Sequence, residues 1–233
     1  MNKQHDKEQF NSEVSKILPR LKRYVANQLR MAVTNGIIGP RKYSPEDISN
    51  EVFIHLKEEW NTGHLSAKDI KTAMFKLADA TLTRIINEET GHTKDVAIEE
   101  ILAEEMKGLE EKYSIEADGD IVLYEEFDDI SYQYEREQKT IYLLEPGFEN
   151  DLIETLDLTG SYTHTPETSA MLARVYQDLP AITSAIIDLH VAGGLSIEEI
   201  AEIREMESRD VKRIIQQVRL RFIYVLNIQK TQP

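Results

Sequence analysis

The stretch LSIEEIAEIREMESRDVKRIIQQVRLRF (195–222) constrains the fold of this chain more than any other. Ser196 is followed three residues later by Glu199, the pattern of a capping box, in which the two side chains satisfy each other's free backbone N–H groups. Ile197, Ile200, Ala201 and Ile203 then form the buried side of a short helix. After a break near Glu205–Glu207, Ser208 is placed to cap a second helix with Val211, Ile214, Ile215, Val218 and Phe222 on one stripe. At about 100° per residue, Arg209, Lys212, Arg213, Gln216 and Arg219 fall on the other side. Charge divides along the same line: residues 196–207 hold five Glu and one Arg, and residues 208–222 hold five Lys/Arg and one Asp. An acidic helix, a tight turn and a basic helix form the layout of a helix-turn-helix. Its second helix can lie in the major groove, with Arg and Gln reading base edges and Lys holding phosphate. Ser208, Arg209, Lys212, Arg213, Gln216, Gln217 and Arg219 are its candidate DNA contacts. The same pattern also fits a helix hairpin whose charges keep it in solution.

The rest of the chain reads as helix with one exception. Val14, Ile17, Leu18, Leu21, Val25 and Leu29 keep helical spacing. NGIIGPRKYSP (35–45) interrupts it, and Ser44-Pro45-Glu46-Asp47 opens a second helix with proline in the first turn and acids at the positive end of the dipole. A third helix runs from about Ser66 to Glu88. Little β-alternation is present, so the expected class is all-α. Two helical domains (8–90 and 169–228) are expected to flank an acidic, partly helical segment (91–168), in which LDLTGSYTHTPET (156–168) looks like a linker.

The net charge of −15 argues against nucleic acid only until it is divided by segment. Residues 1–90 are +2, residues 91–168 are −17 and residues 169–233 are neutral. The middle segment also carries Tyr124, Phe127, Tyr132, Tyr134 and Tyr142, more aromatics than a plain spacer. It reads as a solvated spacer, a phosphate-like linker or a protein-binding element.

Several functions are excluded or unsupported. With no cysteine there are no disulfides, thiolate zinc sites or cysteine nucleophiles. No run approaches the roughly eighteen apolar residues of a membrane span, and the first residues lack a secretory hydrophobic core, so a cytoplasmic protein is expected. The histidines do not cluster. Glu116, Asp118 and Asp120 suggest a calcium loop, but Ile121 stands where glycine is required and Phe127 where the bidentate acid belongs. No phosphate loop or nucleophile elbow is present. No metal, cofactor or enzymatic activity is expected.

Residues 179–222 resemble domain four of sigma-70 family RNA polymerase sigma factors of the extracytoplasmic-function kind. The matching features are Leu179-Pro180, the Gly194-Leu195-Ser196 turn, EEIAEI (198–203) and Val211-Lys212. SPEDISNEVFIHL (44–56) is similar to the domain-two helix of that family. The two matches, in the family's order, cover residues 10–90 and 169–225. The resemblance implies polymerase contacts at Asp47, Glu51 and Phe53, and promoter contacts in the first lobe at Lys71, Phe75, Lys76 and Arg84. It implies bacterial RNA polymerase core and double-stranded promoter DNA as partners, with an anti-sigma factor or a recruiting protein or ribonucleoprotein as further candidates. The chain departs from the pattern at Glu205, where a turn glycine is usual, at Ile214, usually basic, and at Ala78-Asp79-Ala80, where promoter-reading residues are expected. A sigma mimic that binds an anti-sigma factor, and a plain helix-turn-helix regulator, are the alternatives these departures raise.

Overall fold

The structure is a computed structural model. It describes the backbone of residues 3–91, 107, 114–115, 121–122 and 143–231, and the side chains of 8–91, 107 and 143–227. Among the described residues the regular elements are helices apart from one antiparallel pair of two-residue strands, β1 (Ser114–Ile115) and β2 (Ile121–Val122). That pairing lies in the segment from which only helix and spacer were expected. The Tyr124–Tyr142 aromatics and the Glu116/Asp118/Asp120 triplet lie outside the described residues. Among the described residues no helix is long and apolar enough to cross a membrane.

Two compact units divide the chain. The first comprises residues 1–94 and 185–211. It contains α1 (Lys3–Thr34), α2 (Pro45–Asn61), α3 (Ile70–Thr90), most of α6 (Ala181–Val191), all of α7 (Ile197–Arg204) and the first turn of α8 (Ser208–Thr231). The second comprises 95–184 and 212–233, with α4 (Pro146–Thr155), α5 (Pro166–Gln177) and the remainder of α8. These units cut across the segments 8–90, 91–168 and 169–228 drawn from the sequence.

In the first unit α1, α2 and α3 pack on one another. Leu21, Tyr24 and Val25 of α1, Val52 and Leu56 of α2, and Met74, Phe75 and Ala78 of α3 are almost wholly buried. The stop after α1 and the start of α2 follow the sequence signals. The Ser44 hydroxyl accepts from the Asp47 N–H at 3.1 Å, and Pro45 occupies the first helical position, where its missing N–H is no loss.

In the second unit residues 156–165 join α4 to α5 as turns and irregular chain, and they are packed rather than bare. Leu156, Leu158 and Tyr162 are buried there, and the Tyr162 hydroxyl lies 2.9 Å from the Ser169 hydroxyl and donates to the Glu149 carboxylate. Thr165 and Thr168 form a capping box at the start of α5. Turn-forming residues dominate the stretch, but its three large side chains supply enough burial to fix it.

Candidate functional site

Within the first unit, α7 packs against α3, and charged side chains meet in register across the contact. From α3 come Lys71, Lys76 and Asp79; from α7 and its turn come Glu199, Glu205 and Arg204. Lys71 Nζ donates to both Glu199 oxygens at 3.0 and 2.8 Å, and to the Gly194 carbonyl at 3.1 Å. Lys76 Nζ reaches Glu205 at 3.0 Å on the exposed rim. Arg204 Nη1 donates to the two Asp79 oxygens at 2.8 and 2.7 Å, with side chains only 9% and 12% exposed.

The buried pair is part of a larger polar layer. Tyr24 of α1 donates its hydroxyl to Asp79 at 2.7 Å, and Gln28, one turn on, donates to Asp188 of α6 at 2.6 Å. Burial, and then the Asp79 charge, hold the Tyr24 hydroxyl well above the ordinary tyrosine range, with Arg204 acting in the opposite direction. Phe75 is fully buried, its ring edge-on to Tyr24 at 5.7 Å. Gly193 lets the chain pass close by: an added Cβ would lie 2.5 Å from the Leu189 carbonyl oxygen and 3.0 Å from the Phe75 ring.

Residues singled out from the sequence as promoter contacts of the first lobe therefore occupy defined intramolecular positions. Lys71 and Lys76 pair with α7 and its turn, and Phe75 is core. Arg84 bridges Glu88 at 3.1 Å and Glu51 at 3.3 Å, which joins a promoter candidate to a polymerase candidate. Asp47 is exposed beside its capping partner Ser44, whose hydroxyl donates to it at 2.8 Å. Phe53 is half-buried and packs on Phe10 at 5.9 Å, and Phe10 in turn packs on Trp60 at 5.3 Å. A second packed face on α2 accounts for its position about 100° from the centre of the Ile48/Val52/Leu56 stripe.

The helix-turn-helix segment takes the expected local form. Ser196 and Glu199 complete their capping box at 3.2 and 2.8 Å. α7 ends at Glu205 in the left-handed conformation, φ 55°, and the Met206 N–H closes the turn onto the Ala201 carbonyl at 2.9 Å. α8 starts at Ser208, so this exposed serine is the first helical residue rather than the one before it.

Val211, Ile214, Ile215 and Val218 are buried on α8, while Arg209, Lys212, Arg213 and Gln216 are exposed. Arg209 pairs with Glu207 at 2.8 Å in a setting open to solvent. Gln217 is half-buried, and Arg219 is held inside the second unit by the Leu156 carbonyl and the Asp157 carboxylate, each at 2.8 Å. Arg219 thus clamps the turn after α4, while Arg209, Lys212, Arg213 and Gln216 form the polar face.

Asp79, Arg204, Tyr24, Gln28 and Asp188 went unrecognised as a group. Asp79 interrupts the Phe75/Ala78/Leu82 stripe, and Arg204 is the lone base among the acids of 196–207. Each is an odd charge in sequence, but their partnership spans 125 positions and has no local signature. The chain matches no family model, no curated protein and no solved structure.

Proposed function

We propose that this protein is a sigma-type transcription initiation factor, which binds bacterial RNA polymerase core through the outer face of α2 and double-stranded promoter DNA through α8. The observation that carries the reading is the division of α8, with Arg209, Lys212, Arg213 and Gln216 exposed on one side and a continuous apolar stripe buried on the other. Such a helix presents bidentate and point-charge donors together, which suits base edges and phosphates of one groove. Asp47 and Glu51 on α2 offer acidic partners to a basic polymerase surface. The protein acts in the cytoplasm, and polymerase supplies the bond-forming chemistry.

One observation favours a second reading, the mimic that occupies an anti-sigma factor without transcribing. Lys71 and Lys76 are both spent on α7 and its turn, and Phe75 is core, so little of α3 is left to hold a promoter. Co-purification with polymerase core followed by run-off transcription separates the readings. Core binding with transcripts supports the first; core binding or anti-sigma capture without transcripts supports the second. DNA binding without core points instead to a plain regulator. Within that assay Arg213→Ala is expected to weaken promoter binding by about 1–3 kcal/mol if Arg213 reads a base.

A further inference from the structure

The chain leaves α1 through Asn35-Gly36, and the turn there has a defined geometry. Gly36 takes the left-handed conformation, φ 71°, and its N–H donates to the Val33 carbonyl at 3.0 Å. The Ile37 N–H donates to the Ala32 carbonyl at 2.9 Å, which completes a Schellman cap, and the buried Ile38 pins the chain beyond it. Glycine suits this position because a Cβ at positive φ strains the backbone. The space over it is open: an added Cβ would meet no atom within 4 Å.

Asn35 stands directly before that glycine. It is exposed, and among the described residues its side-chain amide has no hydrogen bond. Of the nine asparagines in the chain it alone is followed by glycine; each of the others precedes a residue whose side chain crowds the next backbone nitrogen. We propose that Asn35 is a site of spontaneous modification, where the chain converts its own amide to a carboxylate as the protein ages. The Gly36 nitrogen, having lost its proton to solvent, attacks the side-chain carbonyl carbon of Asn35. A nitrogen–carbon bond forms, the side-chain amide bond breaks, and the amide nitrogen leaves as ammonia with a proton from water. Water then opens the five-membered imide at either carbonyl, giving aspartate or isoaspartate. One water enters and one ammonia leaves, with no other reactant.

The cap controls both the reaction and its consequence. The attacking nitrogen is the one the Val33 carbonyl holds, so ring closure waits for the last turn of α1 to open, as hydrogen exchange at Gly36 does. Aspartate then sets a negative charge at the negative end of the α1 dipole, where the last turn holds no basic residue to offset it. Isoaspartate adds a methylene to the backbone between positions 35 and 36. The Gly36 and Ile37 donors then no longer meet the Val33 and Ala32 carbonyls together. Either product loosens the connection into α2, whatever α2 and α8 bind.

The test incubates the full chain in mildly alkaline buffer at physiological temperature. Each asparagine is followed by peptide mapping, with fragmentation that separates aspartate from isoaspartate. Conversion is expected at Asn35 ahead of the eight other asparagines, with both isomers present, and is lost in Asn35→Gln, whose longer side chain must close a six-membered ring. A parallel incubation in guanidinium gives the rate without the cap. The folded protein should react more slowly by the same factor that protects the Gly36 amide from hydrogen exchange. Asn35→Asp should lower protection at Gly36 and Ile37 about two- to fivefold, and the purified isoaspartate form should lower it further. Conversion at Asn35 no faster than at the other asparagines of the folded protein overturns the site. Equal rates with and without guanidinium overturn control by the cap, and full protection in the isoaspartate form overturns the loosening.

Discussion

Replacing Asp79 with asparagine is expected to release α7 selectively. The Arg204 guanidinium beside Asp79 is 9% exposed and donates to both carboxylate oxygens, so removing the negative charge leaves a buried cation opposite a neutral amide. Breaking a buried pair from one side costs about 3–5 kcal/mol. Asparagine keeps one acceptor oxygen but cannot serve Arg204 twice and Tyr24 as well, which places the loss near the lower limit, about 3 kcal/mol. At about 1.4 kcal/mol per decade, the opening equilibrium of α7 shifts by about two orders of magnitude. Native-state hydrogen exchange reads this directly: the amides of Ile200, Ala201 and Ile203 lose that much protection, while those of Val52 and Leu56 in α2 lose far less. The double variant Asp79→Leu with Arg204→Met replaces the pair by apolar bulk. It should recover to within about 1–2 kcal/mol of the parent, the remainder being the Tyr24 hydroxyl left without its acceptor. A loss under about 1 kcal/mol in Asp79→Asn, or a double variant as damaged as the two single changes added together, would refute the argument, because either shows that the pair is not coupled.

Three further outcomes follow from local geometry. Glu205→Gly should raise stability by about 0.5–1 kcal/mol in thermal unfolding, since glycine adopts φ 55° without Cβ strain and the ion pair it removes is exposed. Gly193→Ala should cost about 1–3 kcal/mol because its Cβ meets the Leu189 carbonyl and the Phe75 ring, whereas Gly194→Ala should cost only about 1 kcal/mol, from its φ of 61°, as the flexible end of Arg20 moves aside. Tyr24 has a raised pKa in the folded state, so its contribution is complete below about pH 10 and falls as the unfolded chain ionises above it, by about 1.4 kcal/mol per pH unit. Tyr24→Phe should remove one proton's worth of that alkaline slope in urea titrations.

The helices were legible because their signals are local. Ser44-Pro45-Glu46-Asp47 and Ser196-x-x-Glu199 each carry a start signal within four residues, and the stripes on α1 and α8 repeat at helical spacing. The turn at Glu205 was found despite lacking glycine, because the change of charge and the second apolar stripe flank it. What stayed hidden depends on pairing at a distance. Phe75 could be taken as a promoter contact because nothing near it in sequence shows that Tyr24 and Gly193 close around it. Arg219 fell on the polar side of α8 by angle, yet the turn after α4 claims it. Composition marks 156–168 as a connection, and residues 156–165 do join α4 to α5, but it gives no sign that Leu156, Leu158 and Tyr162 are each buried.

The distance between Asp79 and Arg204 along the chain also has a meaning in time. Arg204 is joined 125 residues after Asp79, a delay of roughly 6–25 s at ribosomal rates of about 5–20 residues per second. Through that interval α1, α2 and α3 can assemble without α7, leaving open the edge of the Phe75 ring that later meets Gly193. Asp79 stands in that opening as a carboxylate that only Tyr24 partners, the kind of charge that keeps an apolar strip from joining its neighbours on a polysome. One side chain thus serves two periods in the life of the molecule: a guard on the nascent surface first, and the counter-ion of Arg204 once the rest of the unit has been made.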